Sequence, residues 1–67
     1  ICPGLIKTKF SEALWQDEKW LNRFVKMAPI SRMGSVDEIA ALALFLAAPA
    51  SGYCTGTLFT ADGGVTI

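Results

Sequence analysis

The sequence of 67 residues contains no histidine, only two cysteines and no excess of either charge. Without histidine, and with Cys2 and Cys54 near opposite ends of the chain, it cannot build a four-ligand zinc site or a dense disulfide framework. Six basic residues balance six acidic ones, so the positive field that attracts nucleic acid or acidic membranes is missing. We therefore expect no metal site, no nucleic-acid partner and no membrane partner.

Long apolar segments are also missing. Ile39 to Ala48 provides about ten apolar residues, whereas a membrane-spanning helix needs roughly 20. The front of the chain has no leader of the secretory type. With only two isolated cysteines, these features predict a soluble protein of a reducing compartment, the cytoplasm.

The sequence does have a high apolar content for its length. Hydrophobic residues make up 52% of the chain, which excludes disorder. A domain of this size buries only about 60% of the surface that its unfolded chain exposes, and no disulfide or metal compensates here. The chain also begins with Ile1 rather than methionine, so we expect it to be part of a larger protein.

The front of the chain is predicted to be the end of a strand followed by a loop. Pro3 and Gly4 interrupt regular structure directly after Ile1 and Cys2. The residues that follow have the composition of an extended loop, and Ser11 is placed to cap a helix.

A first helix is predicted from Glu12 to about Ala28. Its apolar residues recur at helical spacing and its polar residues occupy the other face. The apolar positions are Leu14, Leu21, Phe24, Val25 and Ala28. Pro29 removes a backbone donor and disfavours helical backbone in the residue before it, so the helix must end at Met27 or Ala28.

A second helix is predicted from Val36 to Ala47. Ser35 and Glu38 have the spacing of a capping box, in which each side chain accepts a hydrogen bond from the other's backbone. Beyond its acidic first turn this helix is apolar all round, and such a helix must be covered on all sides. We expect further polypeptide or another subunit to cover part of it, up to the stop at Pro49.

The last predicted element is a short strand from Thr55 to Ala61, which is rich in β-branched and aromatic residues. Its apolar residues do not alternate, as suits a strand covered on both faces in a parallel sheet. The order of strand end, loop, helix, capped helix and strand predicts an α/β fold, with residues 1–67 as part of a single domain.

The loop from Pro3 to Thr8 is the first place where a function can be argued. Open parallel sheets bind ligands at the carboxyl ends of their strands. The loop offers backbone amides at Leu5 and Ile6 and a hydroxyl at Thr8, which can hold an amide or a phosphate. A Pro-Gly pair can equally do no more than end a strand.

Five short motifs link this loop to a known family. They are Pro-Gly-Leu-Ile-Lys-Thr (3–8), Arg-Met-Gly (32–34) before the capped helix, Phe-Leu-Ala (45–47), Tyr-Cys-Thr-Gly (53–56) and Asp-Gly-Gly (62–64). In this order and spacing the chain resembles the C-terminal part of a short-chain dehydrogenase/reductase, and residues 3–15 resemble its carbonyl- and retinol-reductase branch. The resemblance implies part of a Rossmann-type doubly wound parallel sheet. It also implies hydride transfer between NADP or NAD and a carbonyl or alcohol substrate.

The resemblance implies a cofactor-binding role for the loop. The cofactor-binding residues would be Pro3, Gly4, Leu5, Ile6 and Thr8. The backbone at Ile6 would meet the nicotinamide carboxamide, and the Thr8 hydroxyl would reach the carboxamide or the pyrophosphate, so that the ring is oriented without added charge.

Residues 10–27 would form a flap over the substrate. Phe10, Leu14 and Trp15 are then candidate pocket walls, although apolar residues on a helix are as often ordinary core. The capped helix and the strand Thr55 to Ala61 would contact the same elements of another subunit, in a homo-tetramer or dimer.

The family's glycine-rich loop and its catalytic Ser and Tyr-x-x-x-Lys have no counterpart here. Tyr53 is followed four places on by Thr57 rather than by lysine. We therefore expect no catalytic residue in this segment and no activity from it alone. The alternative interpretation is a non-enzymatic oligomerisation module that binds no cofactor.

Four further side chains are predicted to be structural. Arg32 is expected to make an ion pair or to cap a carbonyl rather than to bind a ligand, and Asp62 to fix a turn. Cys2 and Cys54 are expected to be small apolar residues in or beside strands.

Overall fold

The computed structural model describes residues 1–67 as three helices and two short strands. In chain order these are β1 (Cys2–Pro3), α1 (Glu12–Trp15), α2 (Glu18–Met27), α3 (Val36–Ala47) and β2 (Thr60–Ala61). A single turn of 3-10 helix, Pro49–Ser51, follows α3. No helix has the length and apolar character needed to cross a lipid bilayer.

The two strands pair in parallel and bring the ends of the chain together. Cys2 lies opposite Thr60 and Pro3 opposite Ala61, and the N–H of Cys2 donates to the carbonyl of Phe59 at 2.8 Å. All three helices lie in the connection between the strands, as a parallel pair requires. Cys2 is half-buried within β1, which confirms its predicted place.

Gly4 sets the direction in which the chain leaves β1. Its N–H donates to the carbonyl of Ala61 at 3.0 Å. A Cβ at this position would lie 2.7 Å from both Cα and Cβ of Asp62, closer than carbon atoms approach without displacement. Glycine is therefore required here because the backbone that follows β2 occupies the space of a side chain.

The prediction of one helix over residues 12–28 is wrong in one respect, because the structure has two helices there. Asp17 separates them: its backbone is extended, with φ −82° and ψ 102°, and its carboxylate accepts a hydrogen bond from the N–H of Trp20 at 3.2 Å. Aspartate is among the best N-cap residues, so the chain ends α1 and restarts as α2 there. The predicted end is confirmed, since α2 stops at Met27, shortly before Pro29.

The capping box at the start of α3 is confirmed. The hydroxyl of Ser35 accepts from the N–H of Glu38 at 3.3 Å, and the Glu38 carboxylate accepts from the N–H of Ser35 at 2.9 Å. The helix runs from Val36 to Ala47, as predicted. Local hydrogen bonding within four residues is enough to fix its beginning.

The strand predicted over residues 55–61 is wrong in length, because only Thr60–Ala61 is strand. Gly56 has a positive φ of 69°, and residues 55–58 are exposed. A strand needs a hydrogen-bonding neighbour, and β1 supplies only two residues. For the same reason the prediction for Cys54 is wrong, since this residue is exposed and lies outside the sheet.

The chain covers little of its own apolar surface. Only Ala28 and Ser51 are buried. The accessible surface is 5240 Å², against about 4100 Å² for a compact monomer of this mass. The radius of gyration is 13.5 Å, against about 11 Å for a compact domain of this length.

The uneven cover is clearest on α3. Ile39, Leu42 and Leu46 form one face and are half-buried. Leu44 lies on the opposite face and is 72% exposed, and Phe45 is 41% exposed. The helix is thus apolar on two sides, and this chain contacts only one of them.

Candidate functional site

The loop after β1 is held by the segment that precedes α3. The N–H of Gly34 donates to the carbonyl of Leu5 at 3.0 Å, and the N–H of Lys7 donates to the carbonyl of Gly34 at 3.1 Å. These bonds form an isolated parallel bridge between Ile6 and Gly34. A Cβ on Gly34 would lie 2.7 Å from Cδ1 of Ile6, so a larger residue here would displace the tip of the Ile6 side chain.

Two adjacent backbone donors of the loop remain without a partner in the chain. The N–H groups of Gly4 and Lys7 donate to neighbouring segments, whereas those of Leu5 and Ile6 donate to no acceptor. Both residues are half-buried. Backbone donors of folded proteins are nearly always hydrogen-bonded. We therefore expect these two N–H groups to donate to a ligand or to solvent.

Thr8 and Ser11 form a reciprocal pair of hydrogen bonds that shapes the end of the loop. The N–H of Thr8 donates to Oγ of Ser11 at 3.1 Å, and the N–H of Ser11 donates to Oγ1 of Thr8 at 3.1 Å. Ser11 occupies the N-cap position of α1, as predicted, but its hydroxyl makes no cap hydrogen bond. It donates instead to the carbonyl of Ile6 at 2.6 Å, since the turn before α1 directs it back to the loop.

The hydroxyl proton of Thr8 is the one donor of this pair that can turn towards a ligand. The two hydroxyl oxygens are 3.2 Å apart. Ser11 Oγ already accepts from the N–H of Thr8, so it stays satisfied when the Thr8 proton points elsewhere. The predicted loop residues thus include two N–H groups without an acceptor in the chain, at Leu5 and Ile6, and one hydroxyl that can turn, at Thr8.

The three predicted pocket walls have different surroundings. Trp15 is half-buried and lies against the loop: its Nε1–H donates to the carbonyl of Thr8 at 3.0 Å, and Nζ of Lys7 lies 4.8 Å from the centre of its ring. Leu14 is 44% exposed and Phe10 is fully exposed. None of the three lines a cavity of the structure.

Two open cavities flank the loop and the end of β2. One of 160 Å³ lies between Ile6, Ile39 and Gly63, and Glu38 lines its edge. The other, of 440 Å³, lies between Ile30 and the residues from 60 to 67. Both are open on one side, so neither encloses a ligand by itself.

A third open cavity, of 270 Å³, lies on α2 and was not predicted. It is lined by Trp20, Arg23, Phe24 and Met27. The rings of Trp20 and Phe24 stack with centroids 5.7 Å apart. The spacing of four residues between two aromatic side chains on a predicted helix was the available signal.

Arg32 is committed to an ion pair, which confirms its predicted structural role. Its guanidinium donates to both carboxylate oxygens of Glu38 at 2.9 Å, and also to the carbonyl of Met33 at 2.9 Å. These bonds, with those from Ser35, lower the pKa of Glu38 to about 2. In return the pair raises the pKa of Arg32, so the guanidinium stays charged and its structural partner is Glu38.

Asp62 closes the turn after β2, as predicted. Its carboxylate accepts from the hydroxyl of Thr66 at 2.7 Å, from the N–H of Thr66 at 3.1 Å and from the N–H of Gly64 at 2.9 Å. The hydrogen bond from the Thr66 hydroxyl is the main cause of the lowered pKa of Asp62. No group of three or more histidine, cysteine or acidic side chains lies together as metal ligands would.

Comparison with known proteins gives consistent matches over the whole chain. The family model described as Enoyl-(Acyl carrier protein) reductase matches residues 1–66. A tropinone reductase homolog of Arabidopsis thaliana is 36% identical over 100% of this chain and 25% of its own length. Acetoacetyl-CoA reductase of Shinella zoogloeoides is 43% identical over 96% of this chain and 26% of its own length.

A solved structure gives the same result for the fold. The chain is similar to that of a putative 2-deoxy-D-gluconate 3-dehydrogenase from Agrobacterium tumefaciens with bound NADP, with a TM-score of 0.90 and 34% identity over 96% of this chain and 26% of that one. The predicted fold class, part of a Rossmann-type α/β sheet, is confirmed. The chain spans about a quarter of the length of the relatives that it matches.

The ion pair beside the loop gives a testable pH dependence. The pKa of Glu38 is about 2 when folded, against an ordinary 4.5, so the unfolded state binds this proton more readily. The pair therefore stabilises the fold in full above about pH 4.5, and its contribution is lost as the pH falls towards 2. In the Arg32→Gln variant, we expect the midpoint for Glu38, measured from its carboxyl carbon NMR shift against pH, to move up towards the ordinary value.

Arg23→Gln is the matched control, because Arg23 is exposed on α2 and makes no salt bridge. It should leave the Glu38 midpoint where it is. An unchanged midpoint in Arg32→Gln would show that the arginine does not hold this carboxylate in its charged form.

Proposed function

The chain belongs to the short-chain dehydrogenase/reductase family, and from this premise we propose that it is the C-terminal part of an NAD(P)-dependent oxidoreductase. The reaction is hydride transfer between a nicotinamide cofactor and a small-molecule carbonyl or alcohol. One observation carries the proposal: the loop that leaves the carboxyl end of β1, where parallel sheets bind ligands, has two backbone N–H groups without an acceptor in the chain, followed by the hydroxyl of Thr8.

The donor set of the loop fits the neutral carboxamide of a nicotinamide. The N–H of Leu5 or of Ile6 can donate to its oxygen, and the hydroxyl of Thr8 can either donate or accept. Pro3 and Gly4 complete the proposed site by fixing the path of the backbone. The similar Agrobacterium structure contains NADP, and the proposal extends to NAD because none of these residues would contact the ribose 2′ position.

The bound cofactor would supply the hydride, whereas the loop would bind and orient. Uncharged donors suit this task, because they fix the orientation of the ring without placing a full charge beside it. We assign no loop side chain as the acid that protonates a carbonyl oxygen. We propose that this proton comes from a residue of the fold outside the loop.

We assign Phe10, Leu14 and Trp15 to the wall of the substrate pocket, within a flap over residues 10–27. Phe10 and Leu14 are large apolar side chains that this chain leaves exposed directly after the cofactor loop. Contact with a substrate would remove this surface from water. The related proteins carry the names of different substrates, so we commit to the carbonyl or alcohol class only.

We also assign the protein to the cytoplasm. Both cysteines are free thiols, and Cys54 is exposed. An exposed thiol is kept reduced in the cytosol.

Removal of the Thr8 hydroxyl tests the cofactor site. In the longer polypeptide that carries this segment, Thr8→Val should weaken NAD(P)H binding. The expected loss is the net contribution of one hydrogen bond, about 0.5–1.5 kcal/mol, which raises the Kd roughly 2- to 12-fold. The measurement is a titration of cofactor fluorescence. Thr8→Ser, which keeps the hydroxyl, should stay near the wild-type value, and so should Thr57→Val, because Thr57 is exposed outside the site. An unchanged Kd in Thr8→Val would refute this assignment.

Activity should depend on polypeptide beyond these 67 residues. A polypeptide limited to them should show no NAD(P)H-dependent carbonyl reduction, because it contains no histidine and no lysine four places after Tyr53. A polypeptide extended to the full length of the relatives should reduce a carbonyl substrate. The measurement is the loss of NAD(P)H absorbance with time. Turnover by the 67 residues alone would overturn the proposal that the catalytic residues lie outside this segment.

We propose that α3 and β2 contact the same elements of a second subunit, in a dimer or tetramer. Leu44 is 72% exposed on the face of α3 that this chain does not cover. In the longer polypeptide, Leu44→Glu should therefore lower the oligomer mass measured by analytical ultracentrifugation, because it places a charge in an apolar contact. The Lys19→Glu variant, on the exposed part of α2, should keep the wild-type mass.

The same measurements separate the enzyme from a non-enzymatic oligomerisation module. An unchanged mass in Leu44→Glu would exclude the subunit contact at this face. A stable oligomer that binds neither NADPH nor NADH would favour the module and refute the enzyme.

A further inference from the structure

Trp15 makes two different contacts with adjacent residues of the cofactor loop. Its indole N–H donates to the carbonyl of Thr8 at 3.0 Å. The ammonium of Lys7 lies 4.8 Å from the centre of the same ring, within the range of a cation–π interaction. Trp15 is the last residue of α1, so one side chain joins this helix to the loop.

The hydrogen bond from Trp15 is the principal one to the Thr8 carbonyl. Oγ of Ser11 is also 3.2 Å from this oxygen, but its single proton points to the carbonyl of Ile6, at the shorter distance of 2.6 Å. The indole therefore fixes the peptide plane that follows Thr8. On the other side of Thr8, its N–H is fixed by Ser11.

With both its backbone groups held, Thr8 has little freedom except at its side chain. Threonine is stiff at χ1 because it is branched at Cβ, and Oγ1 accepts a hydrogen bond from the N–H of Ser11. The direction of the Thr8 hydroxyl then follows from the position of its backbone. Loss of the indole hydrogen bond would release one of the two backbone restraints.

We propose that Trp15 is a positioning residue for the cofactor: its indole N–H holds the Thr8 carbonyl and thereby keeps the Thr8 hydroxyl in its ligand-binding direction. This inference rests on the proposed function, because it takes Thr8 as a cofactor contact. It adds a role that a substrate-wall residue does not have. The polar edge of Trp15 acts on the cofactor side, whatever its ring contacts on the substrate side.

A double-mutant cycle in the longer polypeptide tests the proposal. Trp15→Phe keeps an aromatic ring beside Lys7 but removes the N–H. We expect it to raise the cofactor Kd roughly 2- to 10-fold, and the cofactor KM with it, while kcat at saturating cofactor changes little. In a Thr8→Val background, where no hydroxyl remains to be positioned, the same change should cause no further rise.

Trp20→Phe is the matched control, because Trp20 stacks on Phe24 and its side chain makes no hydrogen bond to the loop. It should leave the cofactor Kd at the wild-type value. An unchanged Kd in Trp15→Phe, with a shift in the substrate KM alone, would overturn the positioning role. The same loss in both backgrounds would also overturn it, since Trp15 would then act independently of Thr8.

A measurement on the unmutated side chain covers the case in which Trp15→Phe does not fold. Indole N–H resonances can be assigned by comparison with Trp20→Phe. The Trp15 indole proton should exchange with solvent more slowly than that of Trp20, and should shift when NADPH is added. Equal exchange rates and an unshifted Trp15 signal in a protein that binds NADPH would overturn this inference. Failure of the wild-type protein to bind NADPH or NADH would instead refute the proposed function.

Discussion

The parallel pairing of β1 with β2 is the constraint on which the rest of the structure depends. It joins residues from opposite ends of the chain and places three helices in one connection. It also fixes where the loop begins, because the backbone at Asp62 leaves room only for a glycine at position 4. Parallel sheets are stable when both faces are covered. A sheet of two strands with two residues each has too few residues to be stable alone, so its stability depends on contacts with further polypeptide.

The distribution of hydrogen bonds decides which groups of the loop can meet a ligand. Gly34 takes up the bonding groups of Leu5 and Lys7 on one side, and Ser11 takes up those at Ile6 and Thr8 on the other. The loop is thus rigid where it is paired. If the loop binds the cofactor as proposed, its free donors lie in a backbone that is already ordered, and such prior ordering reduces the entropy that binding must overcome.

The parts of the structure that the sequence could predict are those set by neighbouring residues. The capping box needs only Ser35 and Glu38, and the helix end before Pro29 needs only the proline. The break at Asp17 was missed because an aspartate on the polar face of a helix has the same periodicity whether it lies within the helix or caps a new one. The length of the last strand was missed because it depends on how much of β1 lies opposite it, which no local pattern records.

The same distinction holds at the candidate site. The role of the loop around Ile6 and Thr8 was predicted from its place after a strand and from a motif, and it stays a prediction. The contact between Trp15 and the Thr8 carbonyl was not found, because it depends on the turn between them, and helical spacing predicted only an apolar wall. Phe10 has no neighbour in the chain, so its surroundings are set by atoms outside these residues.

The two apolar faces of α3 differ in how far this chain buries them. Ile39 and Leu46 lie on the face turned towards the rest of this chain and are already half-buried. Further strands of the same fold would complete that cover. Leu44 lies on the opposite side and is 72% exposed. In the proposed assembly this face is the one that a second subunit would cover, because a large apolar side chain left in water favours contact with another protein surface.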